Sequence, residues 1–278
     1  MQALRHYLLA IQFFSRIPVA GRLAAWVGWS PEMQRASAAH LPGVGWLVGL
    51  WAALLLGCLL WLLPASPFTP LVAAFISTAG SLWLTGGFHE DGLADVADGL
   101  GGFVPPERAL EIMKDSRLGA YGVMTLVMAL LTKVSLIALL LSVVQPFWGP
   151  APVLALICSI HVLSRFAPLV LMRSLPHAGL AATSKTLHIA GRQLGWKGLL
   201  TGALWCLPAL GLLIWMSGMS AWSFVPCLLA AMLLTTWLLK RWLHQRLGGM
   251  TGDCLGACQQ LNELALLLAS CIYLRHWL

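Results

Sequence analysis

Long apolar runs dominate this chain, and short polar segments separate them. The runs are about 18 residues or longer and do not alternate with period two, so they indicate helices that cross a bilayer and not half-buried strands. The expected fold is an all-α, polytopic membrane bundle of about seven transmembrane helices. The predicted spans are 41–63, 67–87, 122–144, 151–172, 198–217, 221–239 and 255–274.

The remaining segments are short. The stretch HYLLAIQFF, at 6–14, is apolar but shorter than a span, and we interpret it as an interfacial or re-entrant segment. No polar block is long enough to fold alone, so we expect one integral membrane domain over 1–278. The loop 173–197 mixes Gly, Ser, Thr and basic residues and is a candidate for a mobile flap. Gly45 and Gly49 have the spacing that lets membrane helices approach closely.

Composition and charge agree with this pattern. Only 10% of residues are charged, against about 25% in globular proteins, and the mean hydropathy is +0.82. By the positive-inside rule, the distribution of Lys and Arg predicts a cytoplasmic N-terminus. Anionic lipid accounts for the net charge of +7, so no nucleic-acid partner is expected. Fourteen of the 17 basic residues precede span one or lie in the loops after spans two, four and six: Arg5, Arg16, Arg22, Arg35, Arg108, Lys114, Arg117, Arg173, Lys185, Arg192, Lys197, Lys240, Arg241 and Arg246.

The acidic residues are concentrated in one place. Asp91, Asp95 and Asp98 are spaced i, i+4, i+7, so on a helix they fall within an arc of about 60°. Three carboxylates on one stripe repel each other unless a cation is present, and Mg²⁺ prefers such oxygen ligands. Seven of the ten acidic residues lie in this 26-residue stretch: Glu90, Asp91, Asp95, Asp98, Glu107, Glu111 and Asp115.

A second helix follows this stripe after a glycine-rich connection. From it, Asp115 could complete a metal site, while Lys114 and Arg117 could donate to a phosphate. A solvated acidic helix paired with its own Lys and Arg is the alternative. Glu90 points elsewhere on the first helix.

Further ionisable residues lie inside the apolar runs. Glu263 is expected about 12 Å along the last span, and Arg165 about 10 Å deep in the fourth. Two interpretations stay open, an Arg165–Glu263 ion pair that locks helices, or a polar cavity beneath the Asp stripe. Lys133 is deeper, and the sequence does not identify its partner. His89, next to the stripe, is a candidate base or hydrogen-bond donor.

Four stretches give the chain a resemblance to the cobalamin synthase family, also called adenosylcobinamide-GDP ribazoletransferases. They are FFSRIPV (13–19), GGFHEDGLADVADG (86–99), LEIMKDSRLGAYG (110–122) and GGMTGDCLGACQQLNE (248–263). The resemblance implies an inner-membrane transferase of bacteria with Mg²⁺ as cofactor. Its active site would face the cytoplasm and join adenosylcobinamide-GDP to α-ribazole or α-ribazole 5′-phosphate, releasing GMP.

The resemblance also assigns residues. The family's acidic motif corresponds to Asp91, Asp95 and Asp98, which we expect to be catalytic and, with Asp115, to bind the metal. The family's Asp and Glu near the last span correspond to Asp253 and Glu263. The residue pattern itself adds His89, Lys114, Arg117 and Arg165 to the expected substrate-binding residues. The chemistry makes Asp98 the first choice of proton acceptor.

Two other functions are weighed against this one. A lipid phosphoalcohol transferase would carry a different run of Asp, Gly and Arg, which the chain lacks. A cation or proton transporter could use Lys133, Arg165 and Glu263, but would place its key acids at the midplane and not at one face. Membrane lipid is an expected partner in each case, and a homo-oligomer stays open.

Overall fold

The computed structural model describes residues 1–178, 193–218 and 221–275. This part of the chain is helical, apart from one isolated backbone bridge between His177 and Met250 and one 3₁₀ turn at Ala38–His40. Its α-helices are α1 (Gln2–Phe14), α2 (Gly21–Val27), α3 (Pro31–Ser37), α4 (Leu41–Leu62), α5 (Thr69–Thr85), α6 (Phe88–Leu100), α7 (Pro106–Lys114), α8 (Ala120–Trp148), α9 (Ala151–Ser164), α10 (Ala167–Ser174), α11 (Trp196–Ser217), α12 (Ala221–Leu247) and α13 (Gly252–Leu274).

The predicted all-α membrane bundle is confirmed, and each predicted span overlaps a helix. Within the described residues six segments are long and apolar enough to cross a membrane: Pro31–Leu62, Ala120–Trp148, Ala151–Ser174, Trp196–Ser217, Trp222–Leu247 and Gly252–Leu274. The α5–α6 pair, which is bent by 90°, makes a seventh if it is counted as one span. The 13-residue α1 is not among these segments.

One predicted boundary is wrong. The sixth span was expected to end at 239 with a basic loop after it, but α12 continues to Leu247. The extra turns contain Leu, Lys, Arg and Gln, which favour helix regardless of their polarity. Lys240, Arg241 and Arg246 therefore lie on a helix. The proposed flap at 173–197 falls largely on residues 179–192, which lie outside the described residues.

Close packing of α4 on α9 forms the centre of the bundle. A Cβ added at Gly45 would lie 2.5 Å from the His161 carbonyl oxygen, and one added at Gly49 would lie 2.7 Å from that of Cys158. Backbone atoms cannot move aside as a side-chain tip can, so only glycine permits this approach. The predicted role of both glycines in helix packing is confirmed.

Replacing Gly49 should therefore destabilise the bundle. We expect Gly49→Ala to lower the free energy of unfolding by about 1–3 kcal/mol, as overpacking does, and to lower the thermal midpoint in detergent. Gly211→Ala on α11 is the matched control, because a Cβ there has nothing within 4 Å. Equal midpoints for the two variants would show that α4 and α9 are not in backbone contact.

Candidate active site

Two successive glycines turn the chain between α5 and α6. Gly86 and Gly87 both have left-handed backbone conformations, with φ of 71° and 70°. L-residues with a side chain rarely adopt this conformation, so the pair allows the 90° bend at low strain. As a result α6 does not continue along α5. It lies across the end of the bundle at which α8 and α13 begin.

The far end of α6 is held by Arg246 of α12. Its guanidinium donates to the carbonyl oxygens of Leu100 and Gly102, at 3.1 and 2.6 Å. These are acceptors that the end of α6 leaves without helical partners. Arg246, which was predicted to lie in a loop, therefore fixes the position of α6.

The two faces of α6 differ in burial. His89 and Glu90 are buried, whereas Asp91 is exposed and Asp95 and Asp98 are half-buried. The Asp stripe thus occupies the more accessible face. Neither Asp91 nor Asp95 makes a side-chain hydrogen bond or ion pair with any other residue that the structure describes.

Asp98 makes a specific structural contact. Its two carboxylate oxygens each accept a backbone N–H at the start of α8, from Gly119 and from Gly122, both at 2.7 Å. These amides would otherwise lack partners at the helix N-terminus. Asp98 therefore acts as an N-cap from another helix, and this engagement competes with its predicted role as proton acceptor.

A fourth carboxylate joins the stripe from α13. A Cβ at Gly92 would lie 2.7 Å from the Asp253 carbonyl oxygen, and one at Gly256 would lie 3.0 Å from that of His89. The two glycines thus let α6 press against the first turns of α13. Asp253, expected to bind substrate, belongs with the stripe, and we call Asp91, Asp95, Asp98 and Asp253 the carboxylate cluster.

The cluster has a measurable electrostatic signature. Burial, followed by the negative charges of Asp91, Asp253 and Asp98, raises the pKa of Asp95 to about 7. The four groups therefore repel each other when all are ionised, and bound positive charge would relieve the repulsion.

The second predicted group forms ion pairs of its own. Asp115 accepts from Arg117, with an Oδ2–Nη2 distance of 2.6 Å, and these hydrogen bonds lower the pKa of Asp115 to about 2. The Arg117 side chain is 88% exposed. Lys114, the last residue of α7, is also exposed. Asp115 is therefore paired with Arg117, and Arg108 and Glu111 form another exposed pair on α7.

The carboxylate cluster suits a hard divalent cation by its chemistry. Its oxygens are the ligands that Mg²⁺ prefers, and their mutual repulsion favours an added positive charge. In the described residues, however, no three His, Cys, Asp or Glu side chains are grouped closely enough to hold an ion by themselves. Mg²⁺ is commonly held by one or two carboxylates together with waters and substrate phosphates. The cluster fits that arrangement better than a closed shell of four aspartates.

A buried ion pair lies inside the bundle beneath α6. Lys133 of α8 and Glu263 of α13 approach to 2.5 Å, with their side chains 3% and 2% exposed. Gln259 donates to the other Glu263 oxygen at 2.5 Å. Of the two interpretations left open for Arg165 and Glu263, the direct ion pair does not form, because Glu263 pairs with Lys133. Arg165 lies between α9 and α10, fully buried, and donates to the His161 carbonyl oxygen at 2.8 Å.

Glutamines connect this ion pair to α6. Gln260 donates to Glu90 at 2.9 Å and to the side-chain oxygen of Gln259 at 2.7 Å. The chain Glu90–Gln260–Gln259–Glu263–Lys133 thus links three helices through one polar layer. Among the residues that the structure describes, neither ring nitrogen of the buried His89 has a hydrogen-bond partner, nor does the Glu90 Oε2 atom.

Sequence reasoning missed the glutamines and His161. Their signal was present, because QQLNE places four amide or carboxylate side chains inside an otherwise apolar span. Polar groups at such depth need partners. Arg165, Glu263 and His89, predicted to bind substrate, are all buried in or beside this layer.

Comparison with known proteins identifies the family. The chain matches the family model described as "Cobalamin-5-phosphate synthase" over residues 6–271. It belongs to the cobalamin-5-phosphate synthase family. The chain is therefore a transferase, as the sequence motifs predicted, and a transporter is not supported. No solved structure matched the chain.

Relatives within the cobalamin-5-phosphate synthase family are similar over nearly the full length. Proteins named adenosylcobinamide-GDP ribazoletransferase include one from Polaromonas naphthalenivorans (strain CJ2), 52% identical over 99% of this chain and 100% of the relative. One from Albidiferax ferrireducens is 51% identical, with 96% and 97% covered. One from Vibrio cholerae is 39% identical, with 97% and 94% covered.

The N-cap contact gives a stability prediction for this cobalamin-5-phosphate synthase family member. Without divalent cations, Asp98→Ala should lower the free energy of unfolding by about 0.5–2 kcal/mol, because two amides of α8 lose their acceptor. Asp95→Ala should behave differently. Its folded-state pKa is raised above the unfolded value, so Asp95 lowers wild-type stability as pH rises from about 4 to 7.

Thermal unfolding in detergent with a chelator, at pH 5 and pH 8, tests both statements. Relative to wild type, Asp95→Ala should raise the thermal midpoint more at pH 8 than at pH 5. Asp98→Ala should lower the midpoint at both pH values. A pH-independent Asp95→Ala difference would mean that the carboxylates do not repel each other.

The buried layer gives a coupling prediction. Either Lys133→Met or Glu263→Gln alone should lower the free energy of unfolding by about 3–5 kcal/mol, because each leaves one member of the buried pair without its partner. The double variant should lose much less than the sum of the two. A denaturation cycle in mixed micelles measures this, and strict additivity would contradict the Lys133–Glu263 pair.

Proposed function

We propose that this protein is an adenosylcobinamide-GDP ribazoletransferase. It would join adenosylcobinamide-GDP to α-ribazole, or to α-ribazole 5′-phosphate, and release GMP. The observation that carries the proposal is the carboxylate cluster, in which two helices supply acids at an accessible surface of the bundle. Family membership and the names of relatives that are up to 52% identical support the choice of substrates.

We infer that one or two of Asp91, Asp95 and Asp253 would hold Mg²⁺, together with the diphosphate oxygens of the nucleotide. When bound, the ion would neutralise the charge that develops on the diphosphate as GMP departs. Asp91 and Asp95 have no described partners that must be displaced, and Asp253 lies at the N-terminus of α13. Phosphoryl transfer depends mainly on such positioning and charge compensation.

The ribazole hydroxyl would attack the β-phosphorus of adenosylcobinamide-GDP. The new O–P bond forms as the bond to GMP breaks, and the hydroxyl proton passes to a carboxylate. We assign the role of proton acceptor to Asp95 and not to Asp98, because both Asp98 oxygens accept hydrogen bonds from Gly119 and Gly122. Asp98 then acts as a positioning residue, because it fixes α6 against α8.

We also propose that the protein lies in the inner membrane with its active site on the cytoplasmic side. Several basic residues lie at the end of the bundle where α6 lies. Arg5, Arg16 and Arg35 precede α4, and Arg108 lies on α7, which precedes α8. The positive-inside rule favours a cytoplasmic location for that end.

Asp95→Ala should abolish turnover while the protein still inserts and folds. The change removes a charged ligand and proton acceptor, and at the same time relieves repulsion within the cluster. Metal-dependent release of GMP from adenosylcobinamide-GDP and α-ribazole, measured with purified enzyme, is the assay. Glu111→Gln is the matched control, because Glu111 pairs with Arg108 outside the cluster and should retain activity. Near-normal activity of Asp95→Ala at low Mg²⁺ would refute the proposal.

A further inference from the structure

A cleft with several basic side chains in its lining opens at the same end of the bundle, away from the carboxylate cluster. Its volume is about 350 Å³, and α1, α3, the 3₁₀ turn and the start of α11 line it. The basic side chains in its lining are His6, Arg35, His40 and Lys197, and its described lining includes no Asp or Glu. We propose that this cleft binds a phosphate group.

The floor of the cleft contains a fixed hydrogen-bond donor. Trp205 Nε1 donates to His40 Nδ1 at 3.0 Å, so the proton of the neutral imidazole resides on Nε2. His40 is 6% exposed, and its Nε2 has no hydrogen-bond partner among the described residues. The Tyr7 ring packs 4.8 Å from Trp205, and Tyr7 donates to the Gly43 carbonyl oxygen at 3.0 Å. This packing holds the imidazole in place beside the cleft.

The first turn of α11 adds donors from the backbone. Its N-cap, Gly195, supplies no side-chain acceptor, and the Gly198 N–H already donates to the Gly195 carbonyl oxygen at 3.0 Å. The N–H groups of Trp196 and Lys197 are therefore the ones without a side-chain cap in this 22-residue helix. A Cβ on Gly195 would meet no atom of the described residues within 4 Å. Helix N-termini favour anions through these N–H groups and the helix dipole.

Two permanent cations complete the donor set. Lys197 lies in the first turn of α11 and is exposed, while Arg35 enters from α3. Arg35 contacts Glu32 at 3.2 Å, but the Glu32 side chain is 74% exposed. Exposed pairs of this kind contribute little free energy, so a phosphate can replace Glu32 at low cost. Arg and Lys donate to phosphate through charge-assisted hydrogen bonds.

The cleft is separate from the carboxylate cluster. In the 3₁₀ turn, Ala39 and His40 line the cleft, whereas Ala38 faces a small cavity shared with α6 and α13. The inference therefore does not depend on the proposed transferase chemistry. Two sources of phosphate have the required chemistry, a soluble phosphomonoester and the headgroup of an anionic phospholipid.

Two binding measurements on the full-length protein distinguish these sources. In phospholipid-free detergent, ribose 5-phosphate is titrated against the thermal midpoint, with ribose as the uncharged control. In nanodiscs of phosphatidylglycerol and phosphatidylcholine, native mass spectrometry counts retained phosphatidylglycerol. R35Q/K197Q is compared with K240Q/R241Q, which removes the same charge from α12.

We expect wild type and K240Q/R241Q to bind one of the two phosphates, and R35Q/K197Q to bind it at least about tenfold more weakly, since two charge-assisted hydrogen bonds are lost. Stabilisation by ribose 5-phosphate identifies a soluble ligand, and retained phosphatidylglycerol identifies lipid. Binding of neither phosphate by wild type, or equal loss in both double variants, overturns the proposal.

A measurement on wild type alone covers the case in which R35Q/K197Q does not fold. The bound phosphate should protect Lys197, but not Lys240, from acetylation, each compared with its own rate without ligand by mass spectrometry. Unchanged labelling of Lys197 at a ligand concentration that saturates binding would also overturn the proposal.

Discussion

The close contact between α6 and α13 is the constraint on which the rest of the site depends. Gly92 and Gly256 leave no room for side chains between the two helices, so Asp253 arrives beside the Asp stripe. Four carboxylates in one place repel each other, and a chain would not keep them there without compensation. Part of that compensation comes from the N-termini of α8 and α13, whose amides and dipoles favour negative charge.

The position of α6 is set at several points along its length. The Gly86–Gly87 turn fixes its start, and Arg246 binds the carbonyl groups at its end. Asp98 ties the accessible face to α8, while Glu90 ties the buried face to α13 through Gln260. An active site of this kind needs rigid support, because its chemistry depends on placing charge correctly. The buried polar layer beneath α6 supplies that support at the cost of desolvating several charged groups.

Much of the fold and part of the site follow from the sequence. The apolar runs located every span, because bilayer thickness sets their length. The i, i+4, i+7 spacing located the Asp stripe, because a helix repeats every 3.6 residues. Family resemblance and the comparisons agree on the transferase.

Other features depend on three-dimensional contacts that spacing does not encode. From the sequence, the partner of Lys133 could be any acid at similar depth. Only the packing of α8 against α13 makes Glu263 that partner. Asp115 has the expected spacing from Glu111 but is held by Arg117, two residues away. The N-cap role of Asp98 joins residues 21 and 24 positions apart, and local sequence rules for caps consider only neighbours.

The central claim is that carboxylates of α6 and α13 form one cation site. Binding of Mn²⁺, followed by electron paramagnetic resonance in nanodiscs, tests it without any need for turnover. Wild type should bind Mn²⁺, and Mg²⁺ should displace it. Asp91→Asn/Asp253→Asn should bind Mn²⁺ at least about tenfold more weakly, whereas Asp115→Asn should bind it like wild type. Unchanged Mn²⁺ affinity in the Asp91→Asn/Asp253→Asn protein would contradict the account.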